Sequence, residues 1–197
     1  MLLLGKMMTL SLEKNVISAP NLEDFLAIPE TKPAREFFQG NIFQKPMPQG
    51  EHSILQMRLG TAINGIGLAQ KTACAFPELR CVFGGQVIAP DLAVFTWDKI
   101  PRTADLKIAN KFTIPPDWLI EILSPEQSTT QLIKKILFSL NQGTQLAWLI
   151  DPREASVMVY YPQRLPEIKE GTDTLPGLAI LTDWQLTAQE LFEWLVF

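Results

Sequence analysis

The stretch that most constrains the fold lies between residues 117 and 151. Two strongly apolar runs, DWLIEILSP (117–125) and QLAWLID (145–151), bracket EQSTTQLIKKILFSLNQG (126–143). Neither apolar run alternates cleanly with polar residues, which fits central strands buried on both faces. Leu132, Ile133, Ile136, Leu137 and Leu140 recur at helical spacing, and Gly143 stands where a helix C-cap belongs. A strand, an amphipathic helix and a strand in so short a span predict a crossover joining parallel strands. The first run also holds an anomaly. Leu119 and Leu123 share a strand face with Glu121, so a carboxylate stands where burying charge is expensive.

The rest of the chain fits one α/β domain with a mixed sheet. SAPNLEDFLAIP (18–29) predicts a short helix begun by Pro20 or Asn21, and REFFQGNIFQK (35–45) a hairpin around QGN. SILQMRLGTAIN (53–64) has helical periodicity, with Gly65 and Gly67 punctuating its end. GQVIAPDLAVF (85–95) is a strand interrupted at Pro90. SVMVYY (156–161) pairs with the third apolar run across DPREA, and LTAQELFEWLVF (186–197) is a last helix with a Thr187/Glu190 capping box. Residues 1–18 are expected to be an N-terminal tail and 19–197 the domain.

Composition narrows the function classes. With 47% hydrophobic residues and 19% charged, the 197-residue chain can build a real core. A net charge of −4 excludes a broadly basic nucleic-acid coat but leaves room for a local basic strip. Two cysteines, Cys74 and Cys81, give neither a disulfide framework nor a metal spacing, so a reduced, cytoplasmic setting is the expectation. No apolar run approaches the roughly 20 residues a membrane helix needs. G-x-S-x-G, H-E-x-x-H and the P-loop pattern are all missing from the sequence.

Several polar residues then need explaining. Glu121 is either a salt-bridged carboxylate at a strand end or an acid that binds metal or moves a proton. Asp91 follows Pro90 between apolar runs, without the turn cluster that usually accompanies Pro-Asp. One acid on each of two apolar strands can set two carboxylates side by side, expected within about 4–6 Å of each other with a Mg²⁺ between them. Lys134 and Lys135 flank the stripe of the amphipathic helix, either as solvated stems or as ammonium groups facing the acids. Glu36, in AREFFQG, and His52, the single histidine, read as a solvated acid and a structural ring unless a site recruits them.

In order, APDLAVF, WLIEILSP and KKILFSLNQGTQLAWLIDP resemble the Uma-two family of restriction-endonuclease-like proteins, within the PD-(D/E)XK nuclease superfamily. REFFQGNIFQKPMPQGEHS, LPGLAI and ELFEWL extend the likeness over about residues 19–197. The resemblance implies a restriction-endonuclease-like fold, with a central mixed β-sheet flanked by helices. It also implies a Mg²⁺ (or Mn²⁺) site at Asp91 and Glu121, with Glu36 as a supporting acid. The superfamily's lysine two residues after the second acid is replaced here by Leu123. Family-like spacing to Gly143 assigns that lysine to Lys135, migrated to the next helix. The implied activity is Mg²⁺-dependent DNA phosphodiester hydrolysis, with His52 a weaker candidate for phosphate contact. The alternative is a catalytically inactive nuclease-fold module for nucleic-acid binding or assembly. A homodimer is also expected, with Trp184, Phe192, Trp194 and Phe197 between subunits. On this reading a metal ion neutralises Glu121 at a strand end that faces a cleft.

Overall fold

The computed structural model describes residues 21–125 and 127–196, so the expected tail at 1–18 lies outside the described residues. Helix α1 (Leu22–Ala27) begins at Asn21, whose side chain and that of Asp24 form a reciprocal capping box. Strands β1 (Arg35–Phe38) and β2 (Asn41–Gln44) make the predicted hairpin. Its two turn residues, Gln39 (φ 52°) and Gly40 (φ 74°), both have the positive φ that a tight primed hairpin turn requires.

Helix α2 runs from Gly50 to Gln70 and is longer than its sequence pattern predicts. Gly65 and Gly67 lie inside it, and the helix ends instead at Lys71 in the left-handed conformation (φ 53°). Gly67 reflects packing: a Cβ there would stand 2.4 Å from the carbonyl oxygen of Ala73. The glycine lets the helix end press against strand β3 (Ala73–Pro77).

Strand β4 (Cys81–Phe83) follows, and then the run containing Pro90 divides as expected. Its first part, β5 (Gln86–Ile88), and its second, β6 (Leu92–Thr96), enter different sheets. Strand β7 (Trp118–Ile122), helix α3 (Thr129–Asn141) and strand β8 (Leu146–Asp151) form the crossover, and β7 pairs with β8 in parallel. Strand β9 (Ser156–Tyr160) returns antiparallel to β8, β10 (Glu167–Glu170) adds an edge, and α4 (Ala188–Glu193) carries the predicted Thr187/Glu190 capping box.

Among the described residues these strands make two sheets. One has the order β2-β1-β5-β4, the other β10-β9-β8-β7-β6-β3. The larger sheet is mixed, buried on both faces and flanked by helices. On one face Leu55, Leu59 and Ile63 of α2 pack with Trp118, Ile120 and Ile122 of β7. On the other, Leu132, Ile136 and Leu140 of α3 pack with Leu119 and Leu123 and with Phe38 and Ile88 of the smaller sheet. Period-2 alternation therefore assigns Glu121 to the face covered by α3 and the hairpin.

The C-terminal aromatics cover this chain's own sheet. Trp184 stands edge-on to Trp118 (5.6 Å between ring centroids) and donates through Nε1 to the Leu175 carbonyl (2.9 Å). Phe192 and Trp194 pack on the same core, while Phe197 is outside the described residues. Cys74 and Cys81 are buried free thiols, and burial pushes the Cys81 thiol up to about 12. Among the described residues no helix is long and apolar enough to cross a membrane.

Candidate active site

Where the two sheets meet, the fold collects Glu36, Lys45, His52, Asp91, Glu121 and Lys135, and every one of them is buried. Glu36 comes from β1, on the side shared with Phe38 and opposite Phe37. Lys45 directly follows β2, and His52 is in the first turn of α2. Asp91 sits at the break between β5 and β6. Leu92 pairs with Ile120, so continuing this antiparallel register by one residue sets Asp91 across from Glu121. Cross-strand partners share a face, and the two acids therefore adjoin.

The contacts form two linked halves. Asp91 Oδ1 accepts from Lys45 Nζ (2.5 Å), while Oδ2 accepts from the Ile122 amide (2.7 Å) and lies 3.1 Å from His52 Nε2. Lys135 Nζ donates to Glu36 Oε1 (3.0 Å) and Oε2 (2.9 Å) and lies 2.8 Å from Glu121 Oε1. Ala89 ties the halves together: its amide donates to Glu36 Oε1 (2.9 Å) and its carbonyl accepts from Lys45 Nζ (2.8 Å). The buried lysine of α3 is Lys135, and Lys134 is exposed, because the residue one position away turns off the helix's inner face.

Burial and charge oppose each other here. Burial alone would raise the Asp91 carboxyl, but the Lys45 ammonium and His52 outweigh it and hold the group well below the usual carboxylate range. Burial dominates at Glu121 and raises its carboxyl above the ordinary value, despite the opposing pull of Lys135 and Lys45. For Lys135, burial would favour the neutral amine, yet Glu121 and Glu36 overcome it and push the ammonium above its ordinary range. Lys45 is likewise raised, with Asp91 and Glu121 exceeding the burial effect.

Glu121 differs from an ordinary buried acid. Asp117, equally enclosed, accepts from the Thr96 amide (2.8 Å), Thr96 Oγ1 (2.9 Å), Gln145 Nε2 (2.8 Å) and Lys99 Nζ (2.5 Å). Glu121 is 0% exposed; its Oε1 is paired with the Lys135 ammonium at 2.8 Å, and its Oε2 has no donor among the described residues. The expectation of a strand end facing a cleft is thus corrected. Glu121 is fully enclosed and is balanced in this structure by Lys135.

These residues suit a hard divalent cation. Glu121 offers an Oε2 without a donor, with Asp91 opposite, and Mg²⁺ commonly takes one or two carboxylates and completes its shell with water and phosphate oxygens. Among the described residues no group of three or more His, Cys, Asp or Glu side chains converges on one point, so such completion is needed. Lys45 is the residue that sequence reasoning missed. Its one signal is its place in FQKPMPQGEHS, between the hairpin and His52.

Comparison with known proteins agrees with this architecture. The Uma2 family model, described as "Putative restriction endonuclease", matches residues 22–189. No curated protein matches the sequence. The chain is similar to the crystal structure of a putative nuclease belonging to DUF820 from Anabaena variabilis ATCC 29413, with 47% identity and a TM-score of 0.88 over 90% of this chain and 99% of that one. With the family model spanning most of the sequence and the structural likeness extending over 90% of the chain, the chain belongs to the Uma2 family of restriction-endonuclease-like proteins.

Proposed function

We propose that this protein is a divalent-metal-dependent DNA endonuclease of the PD-(D/E)XK type with a migrated lysine, working in the cytoplasm. The observation that carries the reading is Glu121, a fully enclosed carboxylate with Oε1 on the Lys135 ammonium and Oε2 without a donor among the described residues, placed across from Asp91. Asp91 and Glu121 would hold Mg²⁺ or Mn²⁺, which supplies Lewis-acid polarisation of the phosphate and a bound water of lowered pKa. His52 and the Ile122 amide fix the orientation of Asp91. Glu36 positions Lys135 through two hydrogen bonds, and Lys135 keeps its charge close to Glu121, where negative charge develops on the phosphate. Lys45, paired with Asp91 Oδ1, would yield that oxygen to a bound cation and offer its own charge to the phosphate.

A second reading has its own support. Lys45 and Lys135 already neutralise the acids, as they would in a catalytically inactive nuclease-fold module for nucleic-acid binding or assembly. Cleavage of supercoiled, linear duplex and single-stranded DNA with Mg²⁺ or Mn²⁺, alongside calorimetric titration of the metal, separates the two. The expected result is metal-dependent cleavage of at least one form by the wild type and none by Asp91→Ala. A wild type that binds neither ion and cuts no form is the inactive module. Light scattering in the same buffers tests the homodimer, for which the C-terminal aromatics no longer argue.

A further inference from the structure

We propose that the pocket beside the ion cluster receives one unpaired nucleobase, so that the nucleic acid held at this site presents a single-stranded or extruded nucleotide. This rests on the nuclease reading and specifies its substrate. The pocket has a volume of about 290 Å³, with Glu36, Lys45 and Lys135 of the cluster in its wall. Small-molecule pockets range over about 300–1,000 Å³, so this one is at the lower end and admits a planar ring system but no duplex.

Its lining matches the two faces of a base. Phe43 lies directly across the hairpin from Glu36, so the ring and the carboxylate that holds Lys135 share one face. Phe38 is pinned edge-on to Phe138 (5.5 Å), whereas Phe43, half-buried, stacks on no other ring among the described residues. An aromatic ring that lines a pocket while part of its surface packs on the core can serve as a stacking platform, and such stacking tolerates any base. Leu132 and Pro46 complete the apolar wall.

Amide groups stand where the base edge would fall. Gln127 uses its Oε1 to accept from the Ser124 amide (3.4 Å), and its NH₂ donates to no group among the described residues. The side-chain amide of Gln131 makes no hydrogen bond among the described residues. Glutamine amides pair with the donor and acceptor edges of bases. The ammonium groups of Lys45 and Lys135 beside the pocket would attract the adjoining phosphate. A chain of net charge −4 lacks a broad basic track for duplex backbone, so capturing a base supplies a grip that charge does not.

The test is fluorescence anisotropy with Ca²⁺ in place of Mg²⁺, titrating a labelled 12-mer single strand and its fully paired duplex. The proteins are the wild type, Phe43→Ala and Phe43→Trp. The single strand should bind the wild type more tightly than the duplex. Phe43→Ala should weaken it by about 5- to 150-fold, as loss of one stacked base does, and Phe43→Trp should retain affinity. A folded Phe43→Ala protein that binds the strand like the wild type overturns the proposal. If Phe43→Ala does not fold, 2-aminopurine at each strand position in turn replaces it, and emission unchanged on binding at every position overturns the proposal. DNA cut by the wild type without dependence on Phe43 removes the pocket assignment alone. Absence of both binding and cleavage removes the nuclease reading with it.

Discussion

Lys45 and Lys135 are the residues on which the site turns, since each ammonium is enclosed beside carboxylates that would otherwise be stranded charges. Removing one partner of a buried ion pair costs about 3–5 kcal/mol. Lys135→Met should therefore lower metal-free stability by about that amount, because it strands both Glu36 and Glu121. Glu121→Gln should cost clearly less, since Lys135 keeps its two hydrogen bonds to Glu36 and burial already disfavours the Glu121 charge. Denaturant unfolding in EDTA ranks the two variants, and the reverse order would contradict the pairing. Lys45→Gln should also be destabilised without metal, but Mg²⁺ should raise its melting temperature by more than it raises that of the wild type. A cation then fills the place beside Asp91 that Lys45 has left, and binding only to the folded state stabilises it. Equal Mg²⁺ shifts in differential scanning calorimetry would mean that Lys45 does not compete for that place.

At the scale of elements, Gly65 and Gly67 of α2 make opposite predictions. Gly65 is exposed with open space around its Cβ position, so Gly65→Ala should stabilise by about 0.5–1 kcal/mol through helix propensity. Gly67→Ala would drive a methyl into the Ala73 carbonyl and should cost about 1–3 kcal/mol. Thermal melts of the two variants should move in opposite directions. The same helix shows where sequence legibility ended. Glycine weakens a helix in solution, and only the tertiary approach of β3 explains why one is kept inside it. The crossover β7-α3-β8 was legible because its strands are buried on both faces and its helix has an apolar stripe. Strand β10 (EIKE) has neither pattern, being a polar edge paired only with β9. Asp91 and Glu121 are legible as charges within apolar runs, whereas only the family-like spacing to Gly143 separates Lys135 from Lys134. Lys45 follows an ordinary hairpin, and its meaning arises only from a partner 46 residues away.

For the whole molecule, the ion cluster sets both limits of the stable pH range. The folded-state value of Asp91 is below its ordinary 3.8, so its contribution is present above that pH and is lost as the pH falls towards the folded value. Lys45 and Lys135 have folded-state values above their ordinary 10.5, so their contribution is present below that pH and is lost as the pH rises through the folded values. Glu121 runs the other way from Asp91: its raised value removes some stability once the pH exceeds its ordinary 4.5. Metal-free melting temperatures should therefore fall on the acid side below about pH 4 and on the alkaline side above about pH 10.5, and Lys135→Met should flatten the alkaline fall. The cluster also carries a consequence in time. Lys135 and Glu36 are 99 residues apart, and their bond cannot form until the hairpin and the crossover have docked. Closing so long a loop and drying both charges belong late on the folding path, after the transition state. In chevron measurements Lys135→Met should refold at nearly the wild-type rate and unfold about 10²–10⁴-fold faster. The ion pairs would then act as a latch on the finished protein, setting how long a molecule stays folded rather than how quickly it gets there.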